Sequence, residues 1–162
     1  MNKICLIYGE KLSYCRDATR NKIAKMILEL IEKEGVNIFY SSRMSNFDIV
    51  CEECVRELKK THKDLKLYFI FPYMCKFISK NMEYFQRIYD EVYEFDIGPS
   101  NIKDYSTTYR DRMYMWLADI SDYMITYIQR KTGNVYTIME YAKEKNVEFK
   151  FPLKNFSRGR VY

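Results

Sequence analysis

Glycine is scarce in this chain, five residues in 162, and so are proline with three, and tryptophan and histidine with one each. Loops that cradle phosphate usually rely on glycine, whose backbone reaches positive φ and lets amides come close to an anion. A chain this poor in glycine has to rely on side chains to grip an anion. No apolar run approaches the ~18 residues that a membrane-spanning helix needs, so none is expected. No run of five or more Lys/Arg occurs, so nothing in the charge pattern demands nucleic acid. Met1-Asn2-Lys3 leads directly into a short strand-like segment, with no long apolar leader, and the cysteines are odd in number and fall inside predicted elements. These features together predict a reducing, cytoplasmic setting.

The composition that remains is that of a globular protein, 48% hydrophobic and 30% charged. A chain of this length fits one domain and can bury about 70% of the surface that its unfolded form exposes. Residues 1–151 are read as that domain and residues 152–162 as a basic C-terminal tail carrying Lys154, Arg158 and Arg160. Aromatic content is high at 17%, with 16 tyrosines, and the net charge is +5. The charge balance favours an anionic ligand in a cleft through the summed field.

Apolar patterning sets out alternating elements. Lys3 to Tyr8 is a continuous apolar run ending at Gly9, which marks a strand buried on both faces and central in its sheet. Asp17 to Glu34 carries Ile23, Met26, Ile27, Leu30 and Ile31 at helical spacing, and Gly35 is placed to end that helix as a left-handed cap. Val36 to Tyr40 is a second strand. A polar turn, Ser41 to Asn46, then opens a helix with the stripe Phe47, Val50, Cys51, Cys54, Val55 and Leu58, capped by Ser45 or Asn46. Strand Leu65–Phe71, helix Lys76–Tyr89, strand Glu91–Phe95 and a loop through Gly98-Pro99-Ser100 follow. Helix Tyr109–Ala118, strand Asp122–Ile128, a helix from Asn134 to about Lys145 and strand Val147–Phe151 complete the series. Strands alternating with helices predict βαβ units and a mostly parallel sheet.

Several residues carry two readings. Cys51-Glu52-Glu53-Cys54 spells C-x-x-C, a redox pair or half a zinc site. Both cysteines nevertheless lie on the apolar stripe, and no second C-x-x-C completes a cluster, so core packing without metal is expected. The lone His62 reads as an exposed residue at a helix end. Asp48 and Glu53 form a carboxylate pair suited to acid/base work or ribose recognition; Asp48 is equally suited to stabilising a helix start through the dipole. Arg110 and Arg112 fall on different faces of their helix, so one of them should face a cleft. Tyr105, Tyr109, Tyr114, Tyr123, Tyr127 and Tyr136 offer stacking surface for a base, or packing surface for a core or an interface.

Three segments resemble the SLOG superfamily, and in particular its small YpsA-like branch. Phe47-Asp48 with Glu53 and Val55-Arg56-Glu57-Leu58-Lys59 is similar to the branch's F-D-x-x-A-A-E-x-x-x-E-L-K. Arg110-Asp111-Arg112-Met113 followed by Ser121-Asp122 is similar to R-N-x-x-M-V-D-x-S-D. Thr132-Gly133-Asn134-Val135-Tyr136-Thr137 with Tyr141-Ala142 is similar to G-G-T-A-Y-T-x-x-Y-A. The resemblance implies an α/β, Rossmann-like, doubly wound fold, with a mostly parallel sheet and helices on both faces. The departures concentrate in the loops. The first loop, T-G-H-R in such proteins, is Tyr8-Gly9-Glu10-Lys11 here. The second, S-G-G-x-x-G before F-D, has Ser42, Arg43 and Asn46 in place of its glycines. Arg43 can supply a bidentate side-chain grip on phosphate instead.

What the resemblance implies for function is binding of a nucleotide or nucleotide-derived signal, such as an ADP-ribose-like molecule. The chain would act as a sensor or sequestering protein, in phage defence or counter-defence. The contacts would come from Gly9, Glu10 and Lys11; from Ser41, Ser42, Arg43, Asn46 and Asp48; from Arg110 and Arg112; and from Thr132, Gly133 and Asn134. No cofactor is implied, and a homodimer or higher oligomer is expected. The enzymatic alternative is a nucleotide N-glycosidase or phosphoribohydrolase using Glu53 or Glu140 as its carboxylate. In the family's P-G-G-x-G-T-x-x-E motif the catalytic Glu falls on Met139, and Glu140 is one residue, or about 100° of helix, away. The remaining alternatives are a protein-interaction module and a single-stranded DNA binder.

Overall fold

The computed structural model describes residues 1–95 and 108–154. Its core is a six-stranded sheet in the order β4-β3-β2-β1-β5-β6, with every pairing parallel. The elements run β1 (Ile4–Ile7), α1 (Asp17–Glu32), β2 (Ile38–Ser41), α2 (Asn46–Lys59), β3 (Lys66–Phe71), α3 (Lys76–Lys80), α4 (Met82–Ile88), β4 (Glu91–Glu94), α5 (Tyr109–Ile120), β5 (Tyr123–Ile125), α6 (Asn134–Glu144) and β6 (Glu148–Lys150). As its unbroken apolar run predicts, β1 lies between β2 and β5, with Cys5, Leu6 and Ile7 fully buried.

Two apolar layers sandwich the sheet. On one face, Ile23, Ile27 and Leu30 of α1 and Phe47, Val50, Cys51 and Val55 of α2 pack with Ile78 of α3 and Phe85 of α4. On the other, Met113, Tyr114, Leu117 and Ala118 of α5 meet Val135, Ile138, Met139 and Ala142 of α6 over Leu6 and Met124. Local chemistry sets the element ends. Gly35 has φ 79, the left-handed conformation that closes α1. The Ser45 side chain accepts from the Asp48 amide at the start of α2, and Thr108 does the same for Asp111 at the start of α5.

Two expectations need correction. The segment read as one helix from Lys76 to Tyr89 is two short ones, α3 and α4, broken at Asn81, whose Nδ2 donates to the Phe77 carbonyl at 2.7 Å. The strand read as Asp122–Ile128 is only Tyr123–Ile125, because both neighbours, β1 at Ile7 and β6 at Lys150, end opposite Ile125. Gly98-Pro99-Ser100, Tyr105, Arg158 and Arg160 lie outside the described residues.

Candidate functional site

In an open parallel sheet the loops beyond the strands' carboxyl ends form the ligand crevice, centred where the strand order reverses. Here that point lies between β1 and β5. The loop after β1 is bound to its neighbours on both sides. Toward α2, the Gly9 amide donates to Asp48 Oδ1 at 2.9 Å, Ser45 Oγ donates to the Gly9 carbonyl at 2.8 Å, and the Leu12 amide donates to Asn46 Oδ1 at 2.7 Å. Toward α6, Glu10 Oε1 accepts from the Gln129 amide at 2.9 Å and the Lys11 carbonyl accepts from Gln129 Nε2 at 3.3 Å. Gly9 and Asp48 are therefore in direct contact, while Asn46 reaches the first loop through Leu12, and Glu10 and Lys11 are held by Gln129.

Asp48 is fully buried. Its second oxygen accepts from the Met44 amide at 3.0 Å, so one carboxyl ties both loops. Burial pushes its pKa up to about 8, although the two amides hold it down. The position suits an organiser of the loops. Gly9 is glycine for a packing reason, since a Cβ there would sit 2.3 Å from the Phe47 ring.

The second loop holds a side chain that the sequence reading passed over. Glu52, inside the C-x-x-C, is fully buried. It accepts from Ser41 Oγ, from Arg43 Nη1 at 2.9 Å, from Arg56 Nη2 at 2.9 Å and from the Tyr89 hydroxyl. Arg43, at φ 53, also donates to the Tyr89 hydroxyl at 2.8 Å and lies over the Phe85 ring. The guanidinium expected to grip phosphate is thus engaged inward, in a network centred on Glu52. The i, i+4 spacing of Glu52 and Arg56 was the available signal for this network.

Beyond the ends of β2 and β3 opens a cleft of about 500 Å³. Ser42, Arg43 and Met44 form one side, Tyr73 and Phe77 another, and Thr108, Tyr109 and Arg110 of the α5 start close it. Phe77 and Tyr73 are well exposed at 65% and 58%, and Tyr73 meets Tyr109 edge-on at 6.1 Å. Tyr8 and Tyr114 form a stacked pair, with ring centroids 3.6 Å apart and planes within 7°. Burial drives both phenol pKa values up, while the Arg110 charge lowers them. The buried Ser42 hydroxyl also steadies the Tyr114 phenolate form, yet both hydroxyls lack a hydrogen bond of ordinary geometry.

The other expected residues are placed elsewhere. Arg112 lines a separate groove with Tyr40 and Trp116. Glu53 pairs with Arg20 at 2.7 Å between α2 and α1. Glu140 is exposed on α6, where it holds the Tyr136 phenol in its protonated form. Thr132, Gly133 and Asn134 stay exposed at the start of α6, with Gly133 at φ 95. Cys51 and Cys54 are core residues, as their stripe predicts. His62 is half-buried and bonded to the Leu58 carbonyl and Glu32, so it is less exposed than expected.

No protein-family model matches this sequence, and no curated protein matches it. Solved structures do match the fold. One is DNA processing protein A from Helicobacter pylori, which binds single-stranded DNA: 16% identity, TM-score 0.58, covering 92% of this chain and 64% of that one. DNA processing protein A (DprA) from Streptococcus pneumoniae matches at 12% identity and TM-score 0.56, over 93% of this chain and 50% of that one. A Moco carrier protein from Chlamydomonas reinhardtii matches at 8% identity and TM-score 0.55, over 93% and 76%. The fold is Rossmann-like, as in DNA processing protein A. The chain spans half to two-thirds of the length of those two proteins.

Proposed function

We propose that this chain is a SLOG-type domain that binds a nucleotide-derived anion in the cleft between the Ser42–Met44 loop and the start of α5, as a sensor or sequestering protein. One observation carries the reading: Ser42, whose buried hydroxyl lacks a hydrogen bond of ordinary geometry, and Arg110 line the same aromatic-walled cleft at the carboxyl edge of a parallel sheet. Tyr73, Phe77 and Tyr109 supply stacking surface for a base. Arg110 supplies charge for a phosphate, and Ser42 a hydrogen bond that would remove the cost of a buried orphan hydroxyl. A volume of about 500 Å³ is within the range of small-molecule sites.

Hydrolysis is the weaker reading, because neither Glu53 nor Glu140 is among the residues lining the cleft. A second reading is single-stranded DNA, favoured by the fold likeness to the H. pylori protein and by the exposed aromatic rim. Calorimetry against ADP-ribose, cyclic ADP-ribose isomers, AMP, cyclic dinucleotides and an oligothymidylate tests both. Binding of a small nucleotide supports the first reading. Oligonucleotide binding that falls steeply with salt, with no small nucleotide binding below about a millimolar, moves the second into its place.

A further inference from the structure

Glu52 is one carboxylate between two arginines. Arg43 Nη1 and Arg56 Nη2 both donate to its Oε1 at 2.9 Å, and among the described residues neither arginine pairs with another carboxylate. Glu52 is fully buried, and the arginine side chains are only 20% and 26% exposed. The group therefore carries one positive charge more than it neutralises, in a place that water reaches poorly. A charge held there calls for a counter-charge. Asp48, the other fully buried carboxyl among the described residues, does not provide it, since burial keeps it protonated up to about pH 8.

The two arginines are not equally committed. Arg56 also gives its Nε to the Ile88 carbonyl at 3.1 Å and lies over the Tyr89 ring. Arg43 is engaged inward through one nitrogen only: Nη1 donates to Glu52 and to the Tyr89 hydroxyl, and no described residue accepts from Nε or Nη2. Those two nitrogens lie along one edge of the planar guanidinium, the edge that can pair with two oxygens of a phosphate. Arg43 lines the cleft beyond β2 and β3, and Arg56 does not. The excess charge and the open donors thus meet in one residue on the ligand side. Arg110 lines the same cleft, and no carboxylate does so among the described residues.

We infer that Arg43 is the second cation of the cleft: Glu52 fixes its Nη1, and its Nε–Nη2 edge, with Arg110, takes a doubly charged phosphate group in preference to a singly charged phosphodiester. The inference rests on the nucleotide reading of this cleft and narrows it to ligands with a terminal phosphomonoester or a pyrophosphate. Two arginines from separate elements, with no carboxylate between them, are balanced by two negative charges. A phosphodiester would leave one of them uncompensated. Glu52 is then a positioning residue, holding a guanidinium whose backbone sits at φ 53, a conformation that arginine seldom adopts.

The test compares AMP with 3′,5′-cyclic AMP at pH 8, since the two share base and ribose and differ by one phosphate charge. ADP-ribose serves as the pyrophosphate arm. Calorimetry should show AMP or ADP-ribose binding about tenfold or more tightly than the cyclic nucleotide. Arg43→Gly suits the left-handed backbone and leaves Glu52 paired with Arg56. Shown to be folded by circular dichroism, it should bring that ratio to within about threefold. Equal affinities in the wild type overturn the inference while the nucleotide reading stands. A ratio unchanged in Arg43→Gly overturns it in the same way. A readout without nucleotide separates the two ideas: inorganic pyrophosphate should shift the Arg43 Nε–H resonance of the wild type, saturating below about a millimolar. Pyrophosphate moving that resonance while no nucleotide binds keeps the dianion site and removes the nucleotide reading. A resonance that neither pyrophosphate nor any nucleotide moves overturns the inference.

Discussion

The Gly9 amide donates to the Asp48 carboxylate across 39 residues of sequence, and the bond is 2.9 Å long. The same carboxyl receives the Met44 amide, so one buried group fixes two loops of the candidate site. Its folded pKa is about 8, against about 4 for an unfolded chain. Between those values the folded state keeps a proton that the unfolded state has released. Stability should therefore be highest below about pH 4, fall as pH rises to about 8, and level off above. The slope in that window is at most about 1.4 kcal/mol per pH unit. Asp48→Asn, which does not titrate, should lose this fall; its side-chain NH2 faces one amide donor and should cost about 1–3 kcal/mol at low pH. Urea denaturation of both proteins across the window checks it. Parallel pH profiles would refute the assignment.

Gly9 and Phe47 form a second pair at the same junction. A methyl at Gly9 would overlap the Phe47 ring, with the nearest approach 2.3 Å. Gly9→Ala should destabilise by about 1–3 kcal/mol through overpacking. Trimming the ring should relieve it, so Gly9→Ala with Phe47→Leu is expected to cost less than the sum of the two single changes. Additive costs in thermal denaturation would show that the clash is not the cause.

How much of this could be read from the sequence follows the physics of each element. Buried strands and amphipathic helices announce themselves by period, which is why Lys3–Tyr8 and the Ile23–Leu30 stripe located β1 and α1 closely. The break at Asn81 was hidden because Phe77, Ile78, Met82 and Phe85 keep apolar residues at near-helical intervals through it. At the site, the loops that meet were legible from the order of elements, but the direction of each side chain was not. Arg43 turns inward because Glu52 is buried beneath it, and apart from its i, i+4 spacing to Arg56 nothing local marks Glu52 as buried beside the half-buried Glu53. Arg110 and Arg112, two residues apart on one helix, face different clefts for reasons of helical phase alone.

The Glu52 network makes a ranked prediction. Removing the carboxylate leaves Arg43 and Arg56 without their shared partner in a largely buried place, so Glu52→Ala should cost about 3–5 kcal/mol. Tyr89→Phe deletes one donor of the network and keeps the ring, so about 1 kcal/mol is expected. Equal losses in chemical denaturation would mean that Glu52 is not the hub.

The thiols should divide by place. Cys15 and Cys75 are exposed, while Cys5, Cys51 and Cys54 are buried. Burial raises the Cys5 thiol to about 12 and Cys54 to about 11, and holds Cys51 well above its ordinary value. An aromatic disulfide reagent should modify Cys15 and Cys75 quickly and the other three only on unfolding. Peptide mapping that finds Cys51 or Cys54 labelled at the early rate would count against their place in the core.

The two arginines of α5 offer the sharpest functional comparison, because they separate the two surfaces. Arg110 lines the cleft with Ser42 and Tyr109; Arg112 lines the groove with Trp116 and Asp119. A charge-assisted hydrogen bond contributes about 1.5–3 kcal/mol, so Arg110→Ala should weaken nucleotide binding about tenfold to a hundredfold. Ser42→Ala removes a hydroxyl that has no ordinary partner in the free protein, so it should leave stability unharmed and weaken binding by a smaller factor. Arg112→Ala should leave nucleotide affinity within about twofold, because Arg112 does not line that cleft. Titration of all three variants against the tightest nucleotide of the panel reads the difference. If Arg112→Ala loses nucleotide affinity as severely as Arg110→Ala, the ligand does not sit in the cleft beyond β2 and β3, and the groove beneath Trp116 becomes the place to look for it.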